Sequence, residues 1–200
     1  MISDGLQKGL TGLESIPRSN LVAGIVDHQR VVTWRVPDGS FLDQITLPNK
    51  AELLAVSPGG PYLAAADSSG LVYLWSIKLP SKQTILPHRS RVHQMLFSRN
   101  GKLLATVDAE AILRIWDLGS NTELISLPQD RGVVDIQFDT EGHSLTVALD
   151  NGTAIVWRFG SDDELALMAC RHLIRNLSVI ELSGLNINPS VVKPCPNLLD

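Results

Sequence analysis

The sequence has few cysteines, no long apolar run and no concentration of positive charge. Its two cysteines, Cys170 and Cys195, both lie near the C-terminal end, so the main body cannot be a disulfide scaffold. No run of roughly 18 apolar residues could span a bilayer, and residues 1–17 lack the apolar core of a secretion signal. The net charge of −4 does not provide a basic face for nucleic acid or an anionic membrane. We therefore expect a cytoplasmic protein that has free thiols and binds neither nucleic acid nor a membrane.

What the chain does contain is a repeat. Hydrophobic residues make up 44% of the chain and charged residues 19%, which is typical of a folded globular protein. Its four tryptophans, Trp34, Trp75, Trp116 and Trp157, are each 41 residues apart. They stand in the segments VVTWRV, VYLWSI, LRIWDL and AIVWRF, whose alternating bulky residues are typical of a β-strand. Equal spacing in a common context indicates repeated structural units.

Each repeat contains the pattern of four strands. Val56, Phe97 and Phe138 each precede a tryptophan by 19 residues and begin strand-end-plus-turn segments, while the first unit is degenerate there, with Ser15. The apolar segments LVAGIV, YLAAAD, LLATVD and SLTVAL follow and lead into the tryptophan strand, with hairpin signals at Ser69-Gly70 and Asn151-Gly152. A fourth strand ends in Leu-Pro in three units. Four strands in about 41 residues predict a β-propeller blade.

At this point the sequence resembles the WD-repeat family. Trp116-Asp117 is a Trp-Asp pair, and His88 stands where the family carries a Gly-His dipeptide, although Pro87 replaces the glycine. The resemblance implies an all-β propeller of about four four-stranded blades in a partial or open ring, at residues 9–48, 49–88, 89–129 and 130–160. The family's aspartate before the tryptophan strand is absent, since that turn carries the residues His28, Ser69, Glu110 and Asn151. The family's Asp-His-Ser/Thr-Trp hydrogen-bond network is therefore complete in no blade.

Residues 161–200 show a different pattern and predict a short helical and extended tail. Ser161 suits a helix N-cap, and Leu167, Cys170, Ile174 and Leu177 form an apolar stripe at helical spacing. We interpret this stripe as a lid over the last blade. The segments ACRHLIRNLS and CPNLLD resemble the C-terminal end of large bacterial WD-repeat proteins, many of which carry an upstream signalling module. That resemblance implies the C-terminal part of a longer protein.

The motifs of common enzymes are missing from the sequence. There is no phosphate-binding loop and no Gly-x-Ser-x-Gly elbow. None of the five histidines pairs with another at metal-ligand spacing, and there is no Cys-x-x-Cys. The inner-strand starts share no chemical theme of the kind that a catalytic or cofactor-binding channel requires. We therefore expect neither an enzyme nor a bound cofactor or metal, and we interpret the tryptophans and His88 as structural.

These patterns favour a protein-interaction scaffold. Four blades of WD-type curvature form about half a ring, so we expect self-association, a partner or additional blades to cover the bare blade faces. Arg91, His93, Arg131 and Asp135 lie near the starts of inner strands and are candidates for contacting a protein partner. The alternative is a C-terminal sensory or autoinhibitory propeller fragment of a larger bacterial signalling ATPase or effector protein.

Overall fold

The computed structural model describes residues 9–58, 62–77, 79–129 and 131–158, and within them every regular element is a β-strand. Blade 1 contains β1 (Thr11–Ile16), β2 (Leu21–Val26), β3 (Arg30–Arg35) and β4 (Phe41–Thr46). Blade 2 contains β5 (Ala51–Val56), β6 (Tyr62–Asp67), β7 (Leu71–Ser76) and β8 (Leu79–Pro87). Blade 3 contains β9 (Val92–Phe97), β10 (Leu103–Asp108), β11 (Ile112–Asp117) and β12 (Thr122–Pro128). Blade 4 contains β13 (Val133–Phe138), β14 (Ser144–Leu149) and β15 (Ala154–Arg158).

Each blade is an antiparallel meander in which every strand pairs with the next strand of the chain. The predicted segments LVAGIV, YLAAAD, LLATVD and SLTVAL form β2, β6, β10 and β14, and the four tryptophan segments form the following strands. The hairpins predicted at Ser69-Gly70 and Asn151-Gly152 place Gly70 and Gly152 at φ 91° and 81°, where a side chain is disfavoured. The prediction of an all-β open propeller of about four blades is confirmed. The predicted tail at 161–200 lies outside the described residues.

The blades pack face to face in chain order, with β1 against β5, β5 against β9, and β9 against β13. We call the face of a blade that is turned toward the preceding blade its leading face, and the opposite one its trailing face. Between blades 1 and 2, the trailing-face residues Ala23 and Ile25 pack with the leading-face residues Tyr73 and Trp75. Equivalent apolar clusters join blades 2 and 3, and blades 3 and 4. The core therefore consists of layers between blades, which is how stacked repeats bury apolar surface that one unit alone cannot cover.

The inner strand of every blade has a β-bulge near its start. The register shifts fall at the second residue of β1, β5, β9 and β13. These residues are Gly12, Glu52, His93 and Val134. A bulge places two residues opposite one and redirects the side chain of the extra residue. At the starts of β5, β9 and β13, the bulged residue therefore carries a side chain that is released from the regular alternation of the sheet.

Candidate functional site

The inner-strand rim is the group of side chains at the starts of β5, β9 and β13, built around the three bulged residues Glu52, His93 and Val134. These residues are spaced 41 apart and occupy the same position in consecutive blades. His93 and Val134 are exposed, whereas the side chain of Glu52 is largely covered. Bulges next to a strand end are a common means of pointing a side chain at a ligand. The rim therefore presents unrelated side chains from neighbouring blades on a rigid frame.

The structure brings the four partner-binding candidates to this rim. Arg91 precedes β9, and its Nε forms an ion pair with Glu52 Oε2 of the neighbouring blade. Arg131 precedes β13 and is exposed, and Asp135 follows the bulged Val134 and is also exposed. The carboxylate of Asp135 accepts a hydrogen bond of 2.9 Å from the backbone N–H of Ile136. Of the four, Arg91 is paired with a residue of another blade, while His93, Arg131 and Asp135 are exposed.

A side-chain bridge holds two blades together beneath the rim. The Nε2 of Gln94 donates a hydrogen bond of 2.6 Å to the backbone oxygen of Val134 in the next blade. The Oε1 of the same amide is buried without a hydrogen-bond partner. Because this bond ends on the bulged residue itself, it fixes the spacing between the exposed side chains of His93 and Val134. The rim is consequently a preformed surface rather than a set of independent loops.

The rim combines opposite charges with an apolar residue. Arg91 neutralises Glu52, and Arg131, Asp135, His93 and Val134 supply one cation, one anion, an imidazole and an aliphatic group. In the described residues no three His, Cys, Asp or Glu side chains are grouped so as to hold a metal ion. Such a mixture suits complementary contacts with a protein surface, where charged groups determine specificity and an apolar side chain is buried.

Three of the four repeat tryptophans lie between blades, and the other residues that define the repeat also have structural locations. Trp75 and Trp116 belong to the cores in front of blades 2 and 3, Trp157 packs against the core in front of blade 4, and Trp34 lies on the leading face of blade 1. The carboxylate of Asp117 accepts hydrogen bonds from the backbone N–H groups of Gly119 and Ser120 at 2.6 and 3.0 Å, which closes the turn after β11. Each of these side chains therefore has a structural location.

His88 takes part in a buried chain of hydrogen bonds in blade 3. Its Nδ1 lies 3.1 Å from the backbone oxygen of Leu86, which can only accept, so Nδ1 carries the proton and Nε2 is an acceptor. The hydroxyl of Thr106 then donates to Nε2 at 2.8 Å, and Trp116 Nε1 donates to the Thr106 oxygen at 3.1 Å. The His88 and Trp116 rings also meet, with centroids 5.4 Å apart. Burial, together with the positive charge of Arg114, lowers the pKa of His88 to about 4, so the ring is neutral.

Two buried aspartates, which the sequence analysis did not single out, close the hairpins of blades 2 and 3. Asp67 and Asp108 each precede the tryptophan by eight residues. The Oδ1 of Asp67 accepts from Ser69 N and Leu71 N, and that of Asp108 from Glu110 N and Ile112 N. Although burial alone raises the pKa of Asp67, hydrogen bonds from Ser69, Asn49, Leu71 and Tyr73 lower it below its ordinary value. An aspartate eight residues before both Trp75 and Trp116 was the available signal.

The second oxygen of each aspartate pairs with a side chain on the adjacent strand. Tyr73 donates a hydrogen bond of 2.9 Å to Asp67, and Arg114 forms a short ion pair with Asp108. The Nε of Arg114 also lies 3.4 Å from a carboxylate oxygen of Glu123, whose pKa is raised by burial. A cleft of about 360 Å³ opens over this ion network. It is lined by Pro87, His88, Arg89, Ile112, Arg114, Glu123 and Ser126.

This geometry defines a β-propeller-type repeat protein, and the comparisons agree. The chain is similar to the computationally designed Ika4 protein, known from a crystal structure, with a TM-score of 0.66 and 19% sequence identity. The likeness covers 78% of this chain and 95% of the designed one, and at this identity it shows the fold. Residues 80–117, which include Trp116-Asp117, match the family model of the WD domain, G-beta repeat. The chain thus carries a WD repeat, and its resemblance to the WD-repeat family is confirmed.

No curated protein matches the chain. Within the described residues there is no helix of the length and hydrophobicity that crossing a membrane requires.

Proposed function

We propose that this chain is a non-catalytic, cytoplasmic scaffold that binds a protein partner at the inner-strand rim. The WD repeat and the propeller fold support the general role, since WD repeats commonly mediate protein–protein interaction. The observation that carries the proposal is the bulge at the second residue of each inner strand, which repeats His93 and Val134 at one position and exposes them. A rigid frame that presents variable side chains at equivalent positions is how repeat folds build recognition surfaces.

The partner is a protein segment that combines charged and small apolar side chains. The exposed Arg131 and Asp135 flank Val134, and His93 comes from the neighbouring blade. A complementary segment places an apolar group over Val134 and opposite charges beside it, so the rim charges contribute mainly to the rate and specificity of association.

Site-specific photo-crosslinking in the host cell tests this proposal. A crosslinking amino acid at His93 is expected to yield a discrete adduct with a protein, and the double variant R131A/D135A is expected to remove it. The matched control position is Lys102, an exposed residue in the turn between β9 and β10, at the opposite end of the same blade. Equal adducts from both positions, or an adduct that persists in the double variant, contradict the proposal. The free energy of unfolding is measured for each variant, because loss of folding would reveal a structural role.

The second candidate function is that of a sensory or autoinhibitory propeller at the C-terminal end of a larger bacterial signalling protein. It is supported by the resemblance of the segments ACRHLIRNLS and CPNLLD. An immunoblot of the native host distinguishes the two. A band near the 21.8 kDa of this chain favours a free-standing scaffold, and a much larger band favours an arm that senses a ligand for an upstream module.

A further inference from the structure

The chain contains two Asn-Gly dipeptides, and both of them lie in turns of the blades. Asn100-Gly101 lies in the turn between β9 and β10, and Asn151-Gly152 lies in the hairpin between β14 and β15. An asparagine in front of glycine is especially prone to lose its amide, because the glycine nitrogen reaches the side-chain carbonyl carbon without hindrance from a side chain of its own. The two dipeptides share this chemistry, so a difference in their reactivity comes from the fold.

The two turns have the same hydrogen-bond pattern around the reacting groups. Gly101 and Gly152 have positive φ values of 69° and 81°, and each glycine N–H donates to the backbone oxygen three residues earlier, at 2.9 and 3.1 Å. The Oδ1 of each asparagine accepts from the backbone N–H two residues later, at 3.0 Å in both turns. A hydroxyl, of Ser98 in one turn and of Thr153 in the other, donates to the same Oδ1. These donors stabilise the negative charge that develops on Oδ1 when the carbonyl carbon is attacked.

The turns differ in what holds the amide nitrogen, which is the leaving group. The Nδ2 of Asn100 donates a hydrogen bond of 3.2 Å to the backbone oxygen of Glu141 in blade 4. A Cβ placed on Gly142 would lie 3.0 Å from this nitrogen, so blade 4 also packs closely against it. The neighbouring Gly101 is buried. The amide of Asn100 is therefore held between two blades.

The hairpin at Asn151 has no such restraint among the described residues. Asn151 and Gly152 are both exposed, and a Cβ placed on Gly152 would meet no atom within 4 Å. Within the described part of blade 4, the last strand, β15, pairs only with β14. A hairpin with few neighbours opens locally at a lower free-energy cost than a turn enclosed by two blades. Such opening releases the Gly152 nitrogen from its hydrogen bond to Leu149 and lets it approach the Asn151 side chain.

We propose that Asn151 is a site of spontaneous deamidation and that the fold protects Asn100 from the same reaction. The Gly152 nitrogen gives up its proton and attacks the side-chain carbonyl carbon of Asn151. The amide group takes up a proton and leaves as ammonia, which closes a succinimide ring. Water then opens the ring at either carbonyl, so residue 151 becomes aspartate or isoaspartate. Water is the only other reactant.

The product changes blade 4 close to the inner-strand rim. The backbone N–H of Asp150 donates a hydrogen bond of 2.9 Å to the backbone oxygen of Gly132, the residue that follows Arg131. Deamidation adds a carboxylate next to Asp150 in this turn, and the isoaspartate form also lengthens the main chain by a methylene group. The longer chain disturbs the pairing of β14 with β15. The reaction itself does not depend on partner binding at the rim.

Peptide mapping of the full-length chain by mass spectrometry tests the proposal. The folded protein is incubated at mildly alkaline pH in water enriched in heavy oxygen, which the ring-opening step incorporates. Residue 151 is expected to take up the label about tenfold faster than residue 100, because Asn100 must first lose its hydrogen bond to blade 4. Fragmentation by electron transfer separates aspartate from isoaspartate at the labelled position.

The same incubation in guanidinium chloride is the matched control. Both dipeptides are then unfolded, and we expect them to take up the label at similar rates, which attributes the difference to the fold. Equal labelling of the two residues in the folded chain would overturn the proposal, as would faster labelling of residue 100. A folded chain in which residue 151 stays unlabelled while the unfolded chain reacts would also overturn it.

Discussion

The buried hydroxyl of Thr106 offers the sharpest test of how blade 3 is stabilised. This side chain is fully buried and joins His88 Nε2 at 2.8 Å to Trp116 Nε1 at 3.1 Å. In T106V a methyl group of similar size takes the place of the hydroxyl, so packing is nearly preserved. Both hydrogen bonds are lost, however, and a ring acceptor and an indole donor are left buried without partners. Each unsatisfied group costs about 1–3 kcal/mol, which predicts a total loss of about 2–6 kcal/mol in the free energy of unfolding.

Blade 4 supplies the matched control for T106V. Val147 is the equivalent of Thr106 and is fully buried, and Trp157 Nε1 is buried without a hydrogen-bond partner. The variant V147T provides an acceptor for this donor, which offsets the cost of burying a hydroxyl, so we expect a change below about 1 kcal/mol. Urea unfolding followed by tryptophan fluorescence and circular dichroism measures both. A loss in T106V that is no larger than the change in V147T would refute the role assigned to the hydroxyl.

Two further predictions concern the charged and titratable groups near Thr106. The pKa of His88 is about 4 in the folded state and about 6.5 in the unfolded state, so only the unfolded state binds a proton between these values. The free energy of unfolding is therefore expected to fall by about 3 kcal/mol as the pH falls from 6.5 to 4. Urea titrations at several pH values should show this His88-dependent fall in the wild type and not in H88N. Equal slopes of unfolding free energy against pH in the two proteins would contradict the prediction. Arg114 lies between Asp108 and Glu123, so R114M should leave the buried Asp108 carboxylate without its ion-pair partner. The free energy of unfolding is expected to fall by about 3–5 kcal/mol. The control R99M, at an exposed turn residue, should lower it by less than about 0.5 kcal/mol in the same assay.

The strands could be predicted from the sequence because the repeat supplies the same information several times. Period-2 alternation around each tryptophan identified β3, β7, β11 and β15, and the constant spacing placed the strands before them. The aspartates that close two hairpins were missed because the family pattern directed attention to a turn position two residues later, at Ser69 and Glu110. Local spacing thus predicted the elements but not the side chains that hold their turns.

The site was predicted less completely, because it depends on register. The candidates Arg91, His93, Arg131 and Asp135 lie near the starts of inner strands, and their role in partner binding stays a prediction. The bulges at these strand starts follow from strand pairing and have no common residue type, so the sequence did not reveal them. The pairing of Arg91 with Glu52 crosses a blade boundary, and periodicity within one strand cannot reveal such a contact.

The meander order of the strands has a consequence for how the chain folds. Within each described blade, every strand pairs with the next strand in sequence, so each hairpin closes only a short loop. Strand pairing therefore does not require contact between distant segments of the chain, which favours fast folding of each blade. Among the described residues, the main contacts between blades join consecutive blades, so stability is expected to accumulate as a sum of blade and interface contributions along the array. Unfolding is expected to begin at a blade with a single neighbour and to proceed inward, with the slowest amide exchange in β6, β7, β10 and β11.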